Sequence, residues 1–121
     1  MAQVLGIIDL YWRGQQLDIK PGATLELGGL RNAAVVLSRK VSRANHFMAS
    51  KVTAKVAVSA GMVVTDVFNR NEGELQAICD TGQHFTWDIA FVTDALKLSG
   101  GDGGGDLDIT WEAGDPKELT V

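Results

Sequence analysis

Three stretches of this chain alternate apolar and polar residues with period two, and that rhythm confines them to strands with one buried face. In 49–59, Val52, Ala54, Val56 and Val58 fall on one side, and Lys51, Thr53 and Lys55 on the other. In 83–93, Phe85, Trp87, Ile89 and Phe91 share a side opposite Thr86, Asp88 and Ala90. In 106–112, Leu107, Ile109 and Trp111 face away from Asp106, Asp108, Thr110 and Glu112. Polar-out, apolar-in strands of this kind build antiparallel sheets covered on one side.

Shorter strands are predicted at 7–13, 16–19, 23–27, 30–37 and 74–79, separated by turn residues such as Arg13-Gly14-Gln15, Lys20-Pro21-Gly22 and Asp80-Thr81-Gly82. Only 64–70 breaks the pattern; it reads as a short helix capped by Thr65, with Asp66 in its first turn. The basic stretch 38–48 and the glycine-rich 99–105 read as mobile loops, expected to order at contacts with a partner. The fold class expected is mainly β, an antiparallel sandwich or partial barrel with one short helix. At 121 residues the chain fits one domain, 1–121.

The longest apolar run is five residues, 33–37, which is far too short to span a membrane, and no basic segment leads into an apolar stretch as in a signal peptide. One cysteine, Cys79, excludes an intrachain disulfide framework and a multi-cysteine zinc site. Charge is unevenly spread. Residues 1–60 carry eight basic and three acidic side chains, whereas 61–121 carry three basic and twelve acidic ones. A split of +5 against −9 suggests a face that meets opposite charge on a partner.

Asp80-Thr81-Gly82 is the sharpest enzymatic signal, because aspartic proteases place a proton-sharing carboxylate in such a triplet. Gln83 and His84 follow it, and no partner segment appears downstream, so a hairpin turn explains it better. Gly100 to Gly105 lacks the Lys-Ser/Thr ending of a phosphate loop. Asp102, Asp106 and Asp108 fit no EF-hand spacing, and alternation already accounts for the last two. Cys79 with His84 would make a nucleophile pair, but a lone cysteine closing an apolar strand is usually inert. Trp12, Trp87 and Trp111 read as core. The basic stretch 38–48 would suit nucleic acid, yet it has one aromatic, Phe47, and the chain is acidic overall. No catalytic, cofactor or metal site is expected, and no cofactor.

The order of elements resembles the tail tube proteins of Mu-like contractile phages and of tailocins. The likeness is carried by the opening strand-turn-strand 6–19 with Gly14-Gln15-Gln16-Leu17-Asp18, the interrupted hairpin 31–59, the helical Thr65-Asp66-Val67-Phe68-Asn69, the hairpin 75–91, and the close Asp108-Ile109-Thr110-Trp111-Glu112-Ala113-Gly114-Asp115-Pro116-Lys117-Glu118. The resemblance implies a structural protein of a virion tail, assembled in the host cytoplasm. Hexameric rings would stack head to tail into a tube that passes DNA. Its implied partners are the tape-measure, sheath, baseplate and tail terminator proteins. The type VI secretion tube subunit shares the architecture and is an alternative, as is another tail component such as a terminator. From other classes, a homodimeric aspartic protease and a small nucleic-acid-binding module remain open.

Two surfaces are expected on this reading. Arg39, Lys40 and Arg43 of one copy would contact acids of a neighbour, drawn from Asp102, Asp106, Asp108 and Glu112. A bore that lets DNA slide should offer few unopposed lysines, so Thr86, Asp88 and Ala90 are the expected lumen face in preference to Lys51, Thr53 and Lys55.

Overall fold

The computed structural model describes residue 3, residues 5–100 and residues 105–120. Among the described residues, ten strands and one short helix follow in the order β1 (Ile8–Trp12), β2 (Gln15–Gln16), β3 (Thr24–Glu26), β4 (Gly29–Leu37), β5 (Lys40–Met48), β6 (Ser50–Ala57), α1 (Val64–Val67), β7 (Gly73–Cys79), β8 (Gln83–Ser99), β9 (Asp106–Ala113) and β10 (Lys117–Thr120). All pairings are antiparallel. The main sheet runs β2-β1-β7-β8-β9-β6-β3, with β10 continuing beside β8 where β9 leaves off.

The apolar sides of these strands converge on one interior. Leu10 and Trp12 from β1, Val52, Ala54 and Val56 from β6, Leu75 and Ala77 from β7, and Leu107, Ile109 and Trp111 from β9 form a single buried cluster. Strands at opposite ends of the sheet therefore share a core, so the sheet is rolled. Residues 18–20 reach the edge of β6, through Lys20 N–H to Lys55 O (2.8 Å) and Ala57 N–H to Asp18 O (2.8 Å), yet β3 never pairs with β1 and the barrel stays open.

Trp12 and Trp111 meet at 5.9 Å between ring centroids, and Phe68, just past α1, packs edge-on against Trp111 at 6.1 Å. The Trp12 indole N–H donates to Val67 O (2.8 Å), which ties the helix onto the core. Thr65 lies inside α1 and does not cap it; Val63 holds the cap position and makes no side-chain bond there.

β8 departs from the expected alternation. Leu75 opposes Trp87 but Gly73 opposes Ala90, so β8 spends one residue more than β7 between those points, a β-bulge. One inserted residue exchanges the two faces. Phe85 and Trp87 point inward, then Ala90 does, while Ile89 (60% exposed) and Phe91 (41%) turn out. A second irregularity between Thr93 and Lys97, with Asp94 at φ 62°, carries β8 on to Ser99, well beyond the expected end.

Residues 38–48, expected as a polar loop, are instead a turn at Ser38-Arg39 followed by the nine-residue strand β5. β4 and β5 form a separate two-stranded sheet. Its register continues that of β3 with β6, since Glu26 opposes Lys51 and Gly29 opposes Met48, with two residues intervening on each strand. The pair is thus the free end of one long ribbon, overhanging the rolled body by about 30 Å at the usual rise per residue. The ribbon is tightly packed at its neck. Gly28 lies so close to the backbone of Met48, Ala49 and Ser50 that a Cβ would overlap it, and Gly29 has φ +107°. Of the other expected loop, 99–105, residues 101–104 lie outside the described residues and Ser99 ends β8.

These features give two stability expectations. Trp111→Ala removes the ring at the centre of the cluster and lowers unfolding free energy by about 3–5 kcal/mol. Gly28→Ala forces the neck apart and costs about 1–3 kcal/mol. Urea unfolding followed by tryptophan fluorescence measures the second and circular dichroism the first.

Candidate assembly interface

Two surfaces stand out because their side chains do nothing for the core. The first is the outer face of β8, β9, β6 and β3. Cross-strand register places Glu26, Lys51, Glu112 and Phe91 in one row, Thr24, Thr53, Thr110 and Thr93 in the next, and Lys55, Asp108 and Lys97 in a third. Opposite charges directly across an antiparallel pair attract, and like charges repel. Here every charged neighbour in a row has the opposite sign, and the three acids match the three lysines. Asp106, one step further along β9, forms an ion pair with Lys20.

The second surface is the β4–β5 ribbon. Its cross-strand pairs Leu30–Phe47 and Val36–Val41 occupy one face, and their exposures run from 62% to 70%. Arg31, Arg39, Lys40 and Arg43 are exposed along it, and residues 29–48 contain no acid. At its neck Ser50, fully buried, is held on both sides. Its Oγ accepts from Gly28 N–H (2.8 Å) and donates to Gly114 O (2.7 Å), fixing the ribbon's root to the end of β9.

The expected site residues are distributed accordingly. Arg39 and Lys40 sit at the ribbon tip and Arg43 on β5. Asp106, Asp108 and Glu112 lie on β9, opposed by Lys20, Lys55, Lys97 and Lys51 of the same chain, and Asp102 lies outside the described residues. The expected lumen triplet does not form one face, because the bulge places Ala90 in the core opposite Ala113. Thr86 is half-buried between Gln76 and Lys117, and exposed Asp88 accepts from Lys117 Nζ (2.8 Å). That hydrogen bond, with the attraction of the carboxylate, holds the Lys117 ammonium above its ordinary pKa.

Asp80-Thr81-Gly82 forms the β7–β8 turn, closed by Gly82 N–H to Cys79 O (3.0 Å), with Gly82 at φ 99°. The Asp80 carboxylate accepts from Gly6 N–H (3.2 Å), so it anchors the segment leading into β1. Among the described residues, no three His, Cys, Asp or Glu converge as a metal centre requires, and no helix is long and apolar enough to cross a membrane. Cys79 is 5% exposed. Burial pushes its thiol pKa up, and the Asp80 and Glu118 carboxylates add to the shift.

Comparison with known proteins settles the class. The sequence profile of the family described as phage tail tube protein matches residues 1–118. The chain belongs to the phage tail tube family. This is a structural family of phage tails. Two solved structures share the tail tube fold at 10% identity and a TM-score of 0.71. One is the tube-terminating cap of an anti-feeding prophage, covering 94% of this chain and 88% of that one. The other is the sheath/tube terminator of an extracellular contractile injection system in its extended state, covering 93% of each. Among curated proteins, no sequence matches significantly.

The features of these two candidate surfaces that the sequence concealed are the apolar pairs of the ribbon, Ser50 at its neck, and the pairing of Lys97 and Glu26 into the charged rows. One consequence is chemical. A raised thiol pKa keeps Cys79 neutral in the folded chain while the unfolded thiol ionises first. The stabilisation is therefore complete below the unfolded pKa and is lost as pH rises from there through the folded value. We expect the native protein to react with a disulfide reagent at neutral pH about tenfold or more slowly than the urea-unfolded chain, as absorbance of the released thiolate records.

Proposed function

We propose that this chain is the repeating subunit of a Mu-like contractile tail tube, forming hexameric rings that stack head to tail around a bore that conducts DNA. The observation that carries this reading is the β4–β5 ribbon, which is paired only with itself and exposes apolar residues along its length. An isolated two-stranded ribbon is marginal in water, so its residues are more useful in an assembly than in a monomer. The ribbon and the rolled body are different surfaces. A contact between them is heterologous, and such contacts propagate into rings and filaments instead of closing as dimers.

The polar face of β8, β9, β6 and β3 supplies the bore on this reading. Lysines alone would grip phosphate and release counterions on binding. Alternation with Glu26, Asp108 and Glu112 offers each ammonium a partner within the wall, so a passing polyanion finds a surface of low net charge. The tape-measure, sheath, baseplate and terminator proteins are the corresponding partners, and the virion tail the location.

A second reading is that the chain is a tube terminator, as both structural neighbours are. Electron microscopy at rising protein concentration separates the two. A tube subunit gives tubes of many rings, and a terminator gives single or paired rings. Arg39→Glu with Lys40→Glu should abolish tube growth at low salt while leaving the circular dichroism of the subunit unchanged. Compact particles of one or two chains at every concentration would overturn the proposal.

A further inference from the structure

Among the described residues, the open seam of the rolled sheet is the second feature without an occupant. Two adjoining clefts, of about 450 and 710 Å³, lie where β3 fails to meet β1. Leu5, Ile8 and Ala23 line both, Ile7 and Ile19 the first, and Leu25, Leu27 and Phe85 the second. Leu5, Ile7 and Leu27 are 53%, 62% and 38% exposed, so apolar surface faces water here in quantity. The charged groups around the seam are mainly acidic. Asp9 lines the first cleft, Asp80 follows Cys79 in the wall of the second, and Glu118 opposes Phe85. Lys20 also lines the first cleft, but it is engaged by Asp106.

The ribbon has the complementary character. It exposes the apolar pairs Leu30–Phe47 and Val36–Val41 on one face. It carries four basic residues and no acid, whereas the rest of the chain has seven basic against fifteen acidic side chains. The two pairs are six residues apart along the strand, about 20 Å, long enough to span both clefts. In its own chain the ribbon points away from the body, with both faces exposed.

Resting on the self-assembly proposed above, we infer that the β4–β5 ribbon of one copy seats in the open seam of a second copy, with Leu30, Phe47, Val36 and Val41 turned into the clefts, and with Arg43, which shares their face, and Arg39 in the tip turn meeting Asp9, Asp80 and Glu118. The seat completes the rolled sheet of the acceptor by covering the gap between β3 and β1. It buries apolar groups that neither copy can bury alone, and the charged rim sets the orientation of docking. The acids on β9 remain with their own lysines and take no part.

Photo-crosslinking within the assembled protein tests this. A benzophenone amino acid replaces Phe47 in one preparation and Val36 in another, in equal mixtures of ordinary and 15N-labelled chains. Mass spectrometry then identifies the joined peptides. The expected result is cross-links between labelled and unlabelled chains, ending in 5–9, 19–27 or 79–85. A second measurement uses exposed positions that leave the core intact. Phe47→Asp and Ile7→Asp should each raise the concentration at which assemblies appear by about tenfold or more, equivalent to about 1.4 kcal/mol, and Thr53→Asp on the polar face should not. Assemblies whose cross-links end on β6 or β9, or stay within one chain, overturn the seam as the seat and leave the tube reading standing. A protein that remains monomeric at every concentration overturns the tube reading and this inference together.

Discussion

One rolled sheet encloses one interior, and everything else in the chain is arranged by what that interior cannot hold. Trp12, Trp87 and Trp111, all nearly fully buried, supply much of its volume. Aromatic side chains bury large areas and dominate such cores. Around these three indoles, fourteen further apolar residues are buried among the described residues. The remaining apolar side chains of β4 and β5 have no place there, which is why the ribbon overhangs and does not fold back.

How much of this was legible depends on what period-two alternation reports. It reports burial on one face, not strand as such. β6 and β9 obey it because each has one face on the core and a regular register against its neighbour, so Val52, Ala54 and Val56 and Leu107, Ile109 and Trp111 were assigned to the right side. β5 has neither face buried, so 40–48 shows no alternation and reads as loop despite nine residues of regular pairing. β8 alternates correctly as far as Trp87 and then inverts, because nothing in Asp88-Ile89 marks a bulge whose cause is the pairing with Gly73 and Leu75. β10 is four residues long and follows a proline turn, too little for any periodic signal.

The candidate surfaces were readable to the same partial degree. Arg39, Lys40 and Arg43 cluster in sequence, and the structure keeps them exposed on one projection. The acids of β9 also cluster in sequence, but their partners Lys51, Lys55 and Lys97 come from strands that only the fold brings alongside. Charge totals by halves therefore overstated how much acid was free. The order and spacing of elements survived these local errors, which is why the resemblance held at the level of the phage tail tube family while the face assignment of β8 beyond Trp87 did not.

The ribbon's charge also bears on how two copies of the chain can meet. A free two-stranded ribbon has two unpaired edges, and two such ribbons would ordinarily zip together edge to edge. Arg31, Arg39, Lys40 and Arg43 give each ribbon four positive charges and nothing to offset them. Bringing two copies alongside sets like charges against each other, so the twofold embrace is penalised before it forms. An approach in which the ribbon meets a different surface carries no such penalty. The same side chains thus act as a filter against a symmetric pairing of ribbons.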